Sequence, residues 1–215
     1  MRDLIIGRGE VGMALLYVLS DVYEVEVIDL GEKATFKPRI LHICFSFSDK
    51  FIKEVQRYQK FYKPEITVIH STVPVGTSRK CGAIHSPVRG RHPDLVKSLR
   101  IFPKFLGGKE ANRVADYFRW AGMKVILVDK QETTEAGKLF DTEYYRICIE
   151  FTHRVKKYCD RHNLNFHEVY TLFNQTYNEG YEKLGYPEFR RPILQPIMGP
   201  IGGHCVIPNS KLIDG

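Results

Sequence analysis

Near its C-terminus the chain reads Gly199-Pro200-Ile201-Gly202-Gly203-His204-Cys205, a single cysteine behind two adjacent glycines. Glycines strip side-chain bulk from a loop, so a substrate carbon can come close to the thiol, and a nearby cation would favour the attacking thiolate. The other reading of Cys205 is a small buried hydrophobe. At the opposite end stands Gly7-Arg8-Gly9-Glu10-Val11-Gly12. Glycines at this spacing let the backbone turn tightly and approach a pyrophosphate, and the N–H groups that open a helix, at Glu10 and Val11, would meet its charge. Together the two stretches point to a dehydrogenase chemistry with a thiol adduct of an aldehyde on its path.

That chemistry needs a scaffold, and the flanking residues supply one. Residues 3–6 are a short apolar run, residues 11–19 an apolar helix, and residues 25–29 a strand closing on Asp29, which makes a β-α-β unit around the glycine loop. Asp29 could accept from both ribose hydroxyls of a dinucleotide, which favours NAD over NADP. Further strands are expected at 40–45, 66–70, 80–85, 105–108 and 124–128, with helices at 51–62 and 110–121. Strands alternating with helices predict an α/β, doubly wound, mostly parallel sheet of Rossmann type. Residues 29–40 leave little room for the helix that usually follows a second strand.

From about Thr133 the pattern becomes helical, with no glycine or proline between Lys138 and Asn163, and a second helix is expected at 166–177. Pro192, Pro196, Pro200 and Pro208 predict an irregular tail. The expected organisation is therefore a dinucleotide-binding domain at 1–130 and a helical region with a long central helix at 131–215.

Two more groups fit the chemistry. Ser71 and Thr72 follow the strand at 66–70, where ligands gather at the carboxyl ends of such sheets. They could bond the nicotinamide ribose or a catalytic water, or merely cap a helix. Lys138, in Glu135-Ala136-Gly137-Lys138, reads as a lysine near a helix start, against the helix dipole. Its ammonium could stabilise an oxyanion, or simply be solvated.

The chain has 215 residues, 43% of them hydrophobic, enough for one good core, or one core plus a small helical appendage. No run approaches the roughly 18 apolar residues of a membrane span, and the start carries no leader pattern, so a cytoplasmic protein is expected. Five scattered cysteines with no C-x-x-C pair indicate neither a disulfide framework nor a metal site. The net charge of +7 would suit a polyanion, but Lys and Arg are dispersed and Arg89-Gly90-Arg91-His92 is the tightest cluster. Without a reading motif, nucleic acid ranks last among partners.

Taken in order, these segments resemble the UDP-glucose/GDP-mannose dehydrogenase family. Arg190-Arg191-Pro192-Ile193-Leu194-Gln195-Pro196, leading into the cysteine loop, is most similar to its UDP-N-acetylmannosamine dehydrogenase branch. The run Ser71-Thr72-Val73-Pro74-Val75-Gly76-Thr77, the Glu135 to Lys138 stretch and Gly202-Gly203-His204-Cys205 carry the resemblance, which spans residues 3 to about 212.

The resemblance implies NAD-dependent oxidation of a nucleotide sugar's primary alcohol to the carboxylate in two hydride transfers. Cys205 would form the thiohemiacetal and thioester, Lys138 would hold the oxyanion and Thr72 would position water. Arg191 and the Gly203 backbone would meet substrate, and the long helix would form a homodimer. Where the resemblance implies an aspartate four residues after the cysteine, the chain has Asn209, and where it implies an asparagine four residues after the lysine, it has Thr142. The chain also stops soon after the cysteine loop, where the family continues into a nucleotide-gripping domain. These departures support an alternative: a catalytically weakened NAD-binding protein, or one subunit of a split enzyme with a separate nucleotide-binding chain.

Overall fold

A computed structural model describes residues 2–91, 93–196 and 206–213. The order of elements is β1 (Asp3–Ile6), α1 (Glu10–Leu19), β2 (Val25–Ile28), β3 (Ile40–Ile43), α2 (Phe51–Tyr62), β4 (Ile66–Ile69), α3 (Thr77–Lys80), β5 (Ile84–His85), α4 (Leu95–Ile101), β6 (Lys104–Gly107), α5 (Ala115–Trp120), β7 (Val125–Val128), α6 (Gln131–Arg161), α7 (Phe173–Lys183) and α8 (Val206–Ser210). The chain forms two compact units, Met1–Leu139 with Leu212–Gly215, and Phe140–Lys211. Among the described residues, no helix is long and apolar enough to cross a membrane.

In the first unit the strands form one sheet in the order β2-β1-β3-β4-β5-β6-β7. Only the β5–β6 pair is antiparallel, so the sheet is mostly parallel and doubly wound, as the alternation of elements predicts. Both faces are covered, which is why β1 reads as a continuous run buried at every residue. Alternate residues serve opposite faces: Ile5, Ile40, Val68 and Leu106 join α1, α4 and α5, while Leu4, Ile6, Leu41 and Ile69 join α2. The chain runs outward from β1 to β2 and returns on the other side at β3. The order therefore reverses between β1 and β3, and their carboxyl ends bound the crevice where such sheets take ligands.

Several local expectations need correction. The strand expected at 80–85 is only Ile84–His85, because Thr77–Lys80 is helical and Gly82, at φ 59°, turns the chain between them. The helix expected at 110–121 opens as a 3₁₀ turn at Ala111–Val114. That expected at 166–177 opens as a π turn at His167–Leu172 and runs on through α7. Helix α4 has no counterpart in the sequence reading. Nor is the tail irregular throughout: Pro208 lies in α8, at the third helical residue, where its missing N–H removes no intrahelical bond.

The long helix ends where Asn163 takes the left-handed conformation at φ 52°. There the Leu164 N–H donates back to the Cys159 carbonyl at 2.8 Å, closing the last turn.

Candidate functional site

The three glycines after β1 have three different causes. Gly7 has φ 109°, and a Cβ there would lie 2.8 Å from the Phe45 nitrogen and 2.9 Å from the Cys44 carbonyl carbon. The turn and the neighbouring strand both demand glycine. At Gly12 a Cβ would lie 1.9 Å from the Gly7 carbonyl oxygen, so glycine lets α1 seat on the loop. At Gly9 a Cβ would meet nothing within 4 Å, and φ −73°, ψ −176° is open to any residue. Neither the backbone nor the protein's packing explains Gly9, whereas a ligand pressed against the backbone would. Gly9 is also the N-cap of α1 and offers no side-chain bond to its amides, and the opening turn of a helix is where backbone N–H groups can meet a phosphate.

Asp29 is exposed just past β2, and its carboxylate accepts from the Leu30 N–H at 2.8 Å. A second carboxylate joins it. Glu32 Oε2 accepts from the Asp29 N–H at 2.9 Å and from Arg8, in the middle of the glycine loop, at 2.6 Å. The sequence reading missed Glu32 and Arg8 because neither belongs to the glycine spacing. Both side chains are nearly half exposed, so the pair is worth at most about 1 kcal/mol.

Beyond β4, the Ser71 hydroxyl donates to the Phe45 carbonyl at 2.6 Å, tying the loops after β3 and β4 together. Thr72 beside it is half-buried. Gly76 and Ser78 give their backbone N–H groups to the two oxygens of the fully buried Glu135, at 2.6 and 2.7 Å. A carboxylate from α6 thus caps α3 and pins the start of α6 to the ligand-side loop. Thr134 adds a second tie, its Oγ1 lying 2.7 Å from His85 Nδ1.

Lys138 is half-buried three residues after Glu135. Because α6 begins at Gln131, Lys138 sits two turns inside the helix, past the first turn to which the dipole effect is confined. The helix dipole therefore does not bear on Lys138. The first unit thus holds the glycine loop, Asp29, Ser71, Thr72 and Lys138.

The second unit holds Thr142, Arg191 and Asn209. Thr142 is buried on α6 and Asn209 is half-buried in α8. Arg191 is exposed, but its backbone is clamped by Asn178, whose Oδ1 accepts from the Arg191 N–H at 2.8 Å while Nδ2 donates to its carbonyl at 2.9 Å. The guanidinium stands 3.5 Å from the Tyr177 ring centroid. The Tyr170 hydroxyl holds the next residues, donating to the Pro192 carbonyl and accepting from the Leu194 N–H, both at 3.3 Å. Asn178 and Tyr170 carry no motif, so only the fold reveals them. Cys205 and Gly203 lie outside the described residues, as does His92. Arg89 packs near the Phe102 and Phe105 rings. Among the described residues no group of His, Cys, Asp and Glu could hold a metal ion.

A third feature was hidden inside strands. Asp3, His42, His70 and Lys104 face the same side of the sheet and are all buried, and Tyr117 of α5 joins them. His42 Nδ1 lies 3.0 Å from His70 Nε2, and His42 Nε2 lies 3.2 Å from the Tyr117 hydroxyl. Lys104 Nζ lies 3.1 Å from both His70 Nδ1 and the Ser86 carbonyl. Burial, then the Lys104 charge, lowers His42 to about 3 and His70 well below its ordinary value. Burial brings Lys104 down to about 7 and pushes the Cys44 thiol up to about 12.

No protein family and no curated protein matches the sequence. Solved structures do match the fold. The UDP-D-ManNAc dehydrogenase of Pyrococcus horikoshii superposes with a TM-score of 0.79 at 17% identity, over 99% of this chain and 64% of its own. The UDP-N-acetyl-mannosamine dehydrogenase Cap5O of Staphylococcus aureus gives 0.70 at 16% identity, over 99% and 65%. The 3-hydroxyisobutyrate dehydrogenase of Mycobacterium tuberculosis gives 0.65 at 12% identity, over 81% and 70%. The chain spans under two thirds of the length of the first two, and at these identities the likeness is one of fold.

Proposed function

We propose that the chain is a dinucleotide-dependent dehydrogenase acting on the primary alcohol of a nucleotide sugar, with NAD as its coenzyme. The observation that carries this reading is Gly9: a glycine that the fold does not require, at the uncapped start of α1 and at the point where strand order reverses. These residues fit a pyrophosphate. Asp29 would take the ribose hydroxyls, and Glu32 beside it would repel a 2′-phosphate while holding Arg8 away from one. Bound there, the nicotinamide would supply hydride acceptance.

The remaining chemistry belongs to the chain. The Cys205 thiol would add to the aldehyde carbon, Lys138 would hold the resulting oxyanion, and Thr72 would orient the water that releases the acid. Glu135, which ties α6 to the loop after β4, would position Lys138 relative to Thr72. The clamped Arg191 would meet an anionic part of the substrate.

Along α6, Phe140, Tyr144, Ile147, Phe151 and Tyr158 are all at least 45% exposed, at spacings that place them on one helix face. This apolar stripe supports a homodimer through α6. A second reading rests on Asn209: an amide cannot take the proton a carboxylate would, which favours a weakened NAD-binding protein or a split-enzyme subunit.

The test is NADH production with a panel of UDP- and GDP-sugars, with aldehyde and acid products measured separately and NAD binding followed by calorimetry. About two NADH per acid is expected, from the two successive oxidations. The Cys205→Ser variant is expected to bind NAD but form no acid, and full activity in it would remove the cysteine from the mechanism. NAD binding with no turnover on any sugar would favour the second reading.

A further inference from the structure

The buried row beneath α5 has a geometry that allows two complete arrangements of its protons. It runs diagonally across the sheet. Asp3 opens β1 at the amino edge, where its carboxylate accepts from the Ile40 N–H at 3.0 Å and from Arg39 at 3.2 Å. His42 and His70 climb β3 and the end of β4. Lys104 stands beyond the carboxyl end of β5, since β6 runs antiparallel to it with Gly107 opposite His85.

With Lys104 as an ammonium, it donates to the Ser86 carbonyl and to His70 Nδ1. His70 must then carry its proton on Nε2 and donate to His42 Nδ1, and His42 donates from Nε2 to the Tyr117 oxygen. Tyr117 in turn donates its hydroxyl to Asp3, and burial first, then the Asp3 charge and this bond, raises its phenol well above the ordinary value. Every donor in the row points the same way.

The opposite arrangement is equally complete. His70 Nδ1 lies 2.9 Å from the Ser86 carbonyl, so this oxygen can accept from the imidazole as well as from the amine. His42 Nδ1–H then donates to His70 Nε2, and the Tyr117 hydroxyl donates to His42 Nε2. A fully satisfied buried network with two such states is a bistable element.

We propose that this row is a proton relay through which the buried Lys104 ammonium exchanges its proton with solvent at the amino edge of the sheet, beside Arg39. An N–H bond of Lys104 breaks as one forms at His70 Nδ1. The His70 Nε2 proton passes to His42 Nδ1, the His42 Nε2 proton to the Tyr117 oxygen, and the Tyr117 proton to an Asp3 oxygen. Asp3 then releases one proton to water, reached past the Arg39 side chain, which is 31% exposed. One proton enters at Lys104 and one leaves at Asp3, and both imidazoles change tautomer. Uptake of a proton reverses each step.

The groups facing Lys104 are the two imidazoles, the Cys44 thiol from β3, the Ser86 carbonyl and the Phe118 ring 5.2 Å away. His85 and Arg39 act from farther off, His85 feeling the Lys104 charge and Arg39 acting on His42. No carboxylate among these neutralises the ammonium at close range, and the imidazoles stay uncharged. The charge of Lys104 is therefore what selects the direction of the row.

Nitrogen-15 NMR of histidine-labelled protein reads the tautomers directly. Titrated from about pH 5 to about pH 9, spanning the window in which a desolvated lysine changes charge, His42 and His70 are expected to move together from the Nε2–H to the Nδ1–H form with one shared midpoint. Tyr117→Phe, which breaks the path to Asp3, is expected to leave this equilibrium conversion to the Lys104 charge but to slow the exchange of the Lys104 ammonium protons with solvent, read by NMR of the same protein labelled at lysine, while the circular dichroism spectrum stays unchanged. A single fixed tautomer in the parent protein, separate midpoints, or an imidazolium at either ring would overturn the relay without recourse to any variant. So would a Tyr117→Phe protein whose Lys104 protons exchange with solvent as fast as the parent's.

Discussion

Beneath α2 the sheet buries Leu4, Ile6, Leu41, Ile43 and Ile69 against Phe51, Val55, Tyr58 and Tyr62, whereas on its α5 face the same sheet also buries Asp3, His42, His70 and Lys104. The first arrangement draws on apolar area, which is non-directional and scales with the surface removed from water. The second adds little by area and depends on every donor meeting an acceptor, because an orphaned buried polar group costs about 1–3 kcal/mol. Two faces of one sheet thus respond to different perturbations: one to volume, the other to charge and pH.

The largest expected effect breaks the apolar face. Phe51 is fully buried and packs its ring 5.0 Å from Phe45. Phe51→Ala should cost about 3–5 kcal/mol in urea unfolding, from lost transfer energy and the cavity left behind. The loss should be nearly the same at pH 6 and pH 9, since what is removed is apolar area and volume. A strongly pH-dependent loss would show that the two faces are not separable.

The polar face should show the converse. Lys104 is held at about 7 by burial, against about 10.4 in an unfolded chain. Between those values the unfolded chain binds more protons than the folded one, so stability rises with pH by about 1.4 kcal/mol per unit. Below that window both states carry the charge and the burial penalty is fully present. Lys104→Met removes this slope. Its stability relative to the parent is therefore expected to be most favourable near pH 6 and to decline by about 4 kcal/mol toward pH 10. The histidines give an acid limb of the same sign. His42 and His85, lowered to about 3 and about 4, withhold protons that the unfolded chain binds, so stability also falls as pH drops below about 6.5. A gap between Lys104→Met and the parent that does not change with pH would mean that the Lys104 charge is not desolvated in the folded protein.

The contrast between the faces also explains what could be read from residues alone. The apolar layer was legible because runs such as Asp3-Leu4-Ile5-Ile6 and Ile40-Leu41-His42-Ile43 mark strands whatever their neighbours. The glycine loop was legible because its spacing encodes its own turn and helix start. The polar row was not, because His42, His70 and Lys104 become partners only through the strand order β1-β3-β4-β5-β6 and the reversed direction of β6. Glu135 was hidden for a similar reason: its two backbone partners, Gly76 and Ser78, are nearly sixty residues away. Lys138 reads as a helix-start residue although the helix begins at Gln131, because that stretch carries no strong capping signal. Local periodicity finds elements, while side-chain bonds between distant strands wait for the topology.

The smallest expected effect sharpens the comparison, because it removes a polar anchor from the otherwise apolar face. The Tyr62 hydroxyl accepts from the buried Ala34 N–H at 2.8 Å, and Tyr58 lies 3.4 Å from the Gly31 nitrogen. These two phenols hold the segment after β2 that carries Asp29 and Glu32 and that has no helix of its own. Tyr62→Phe keeps the ring and deletes one bond, so a loss of about 1 kcal/mol is expected, independent of pH between 6 and 9. Because the ring packing remains, the dinucleotide affinity proposed for the chain should weaken only through the looser hold on Asp29. If Tyr62→Phe instead costs as much as Phe51→Ala, the α2 face also depends on its hydrogen bonds, and the division between an area-driven face and a bond-driven face fails.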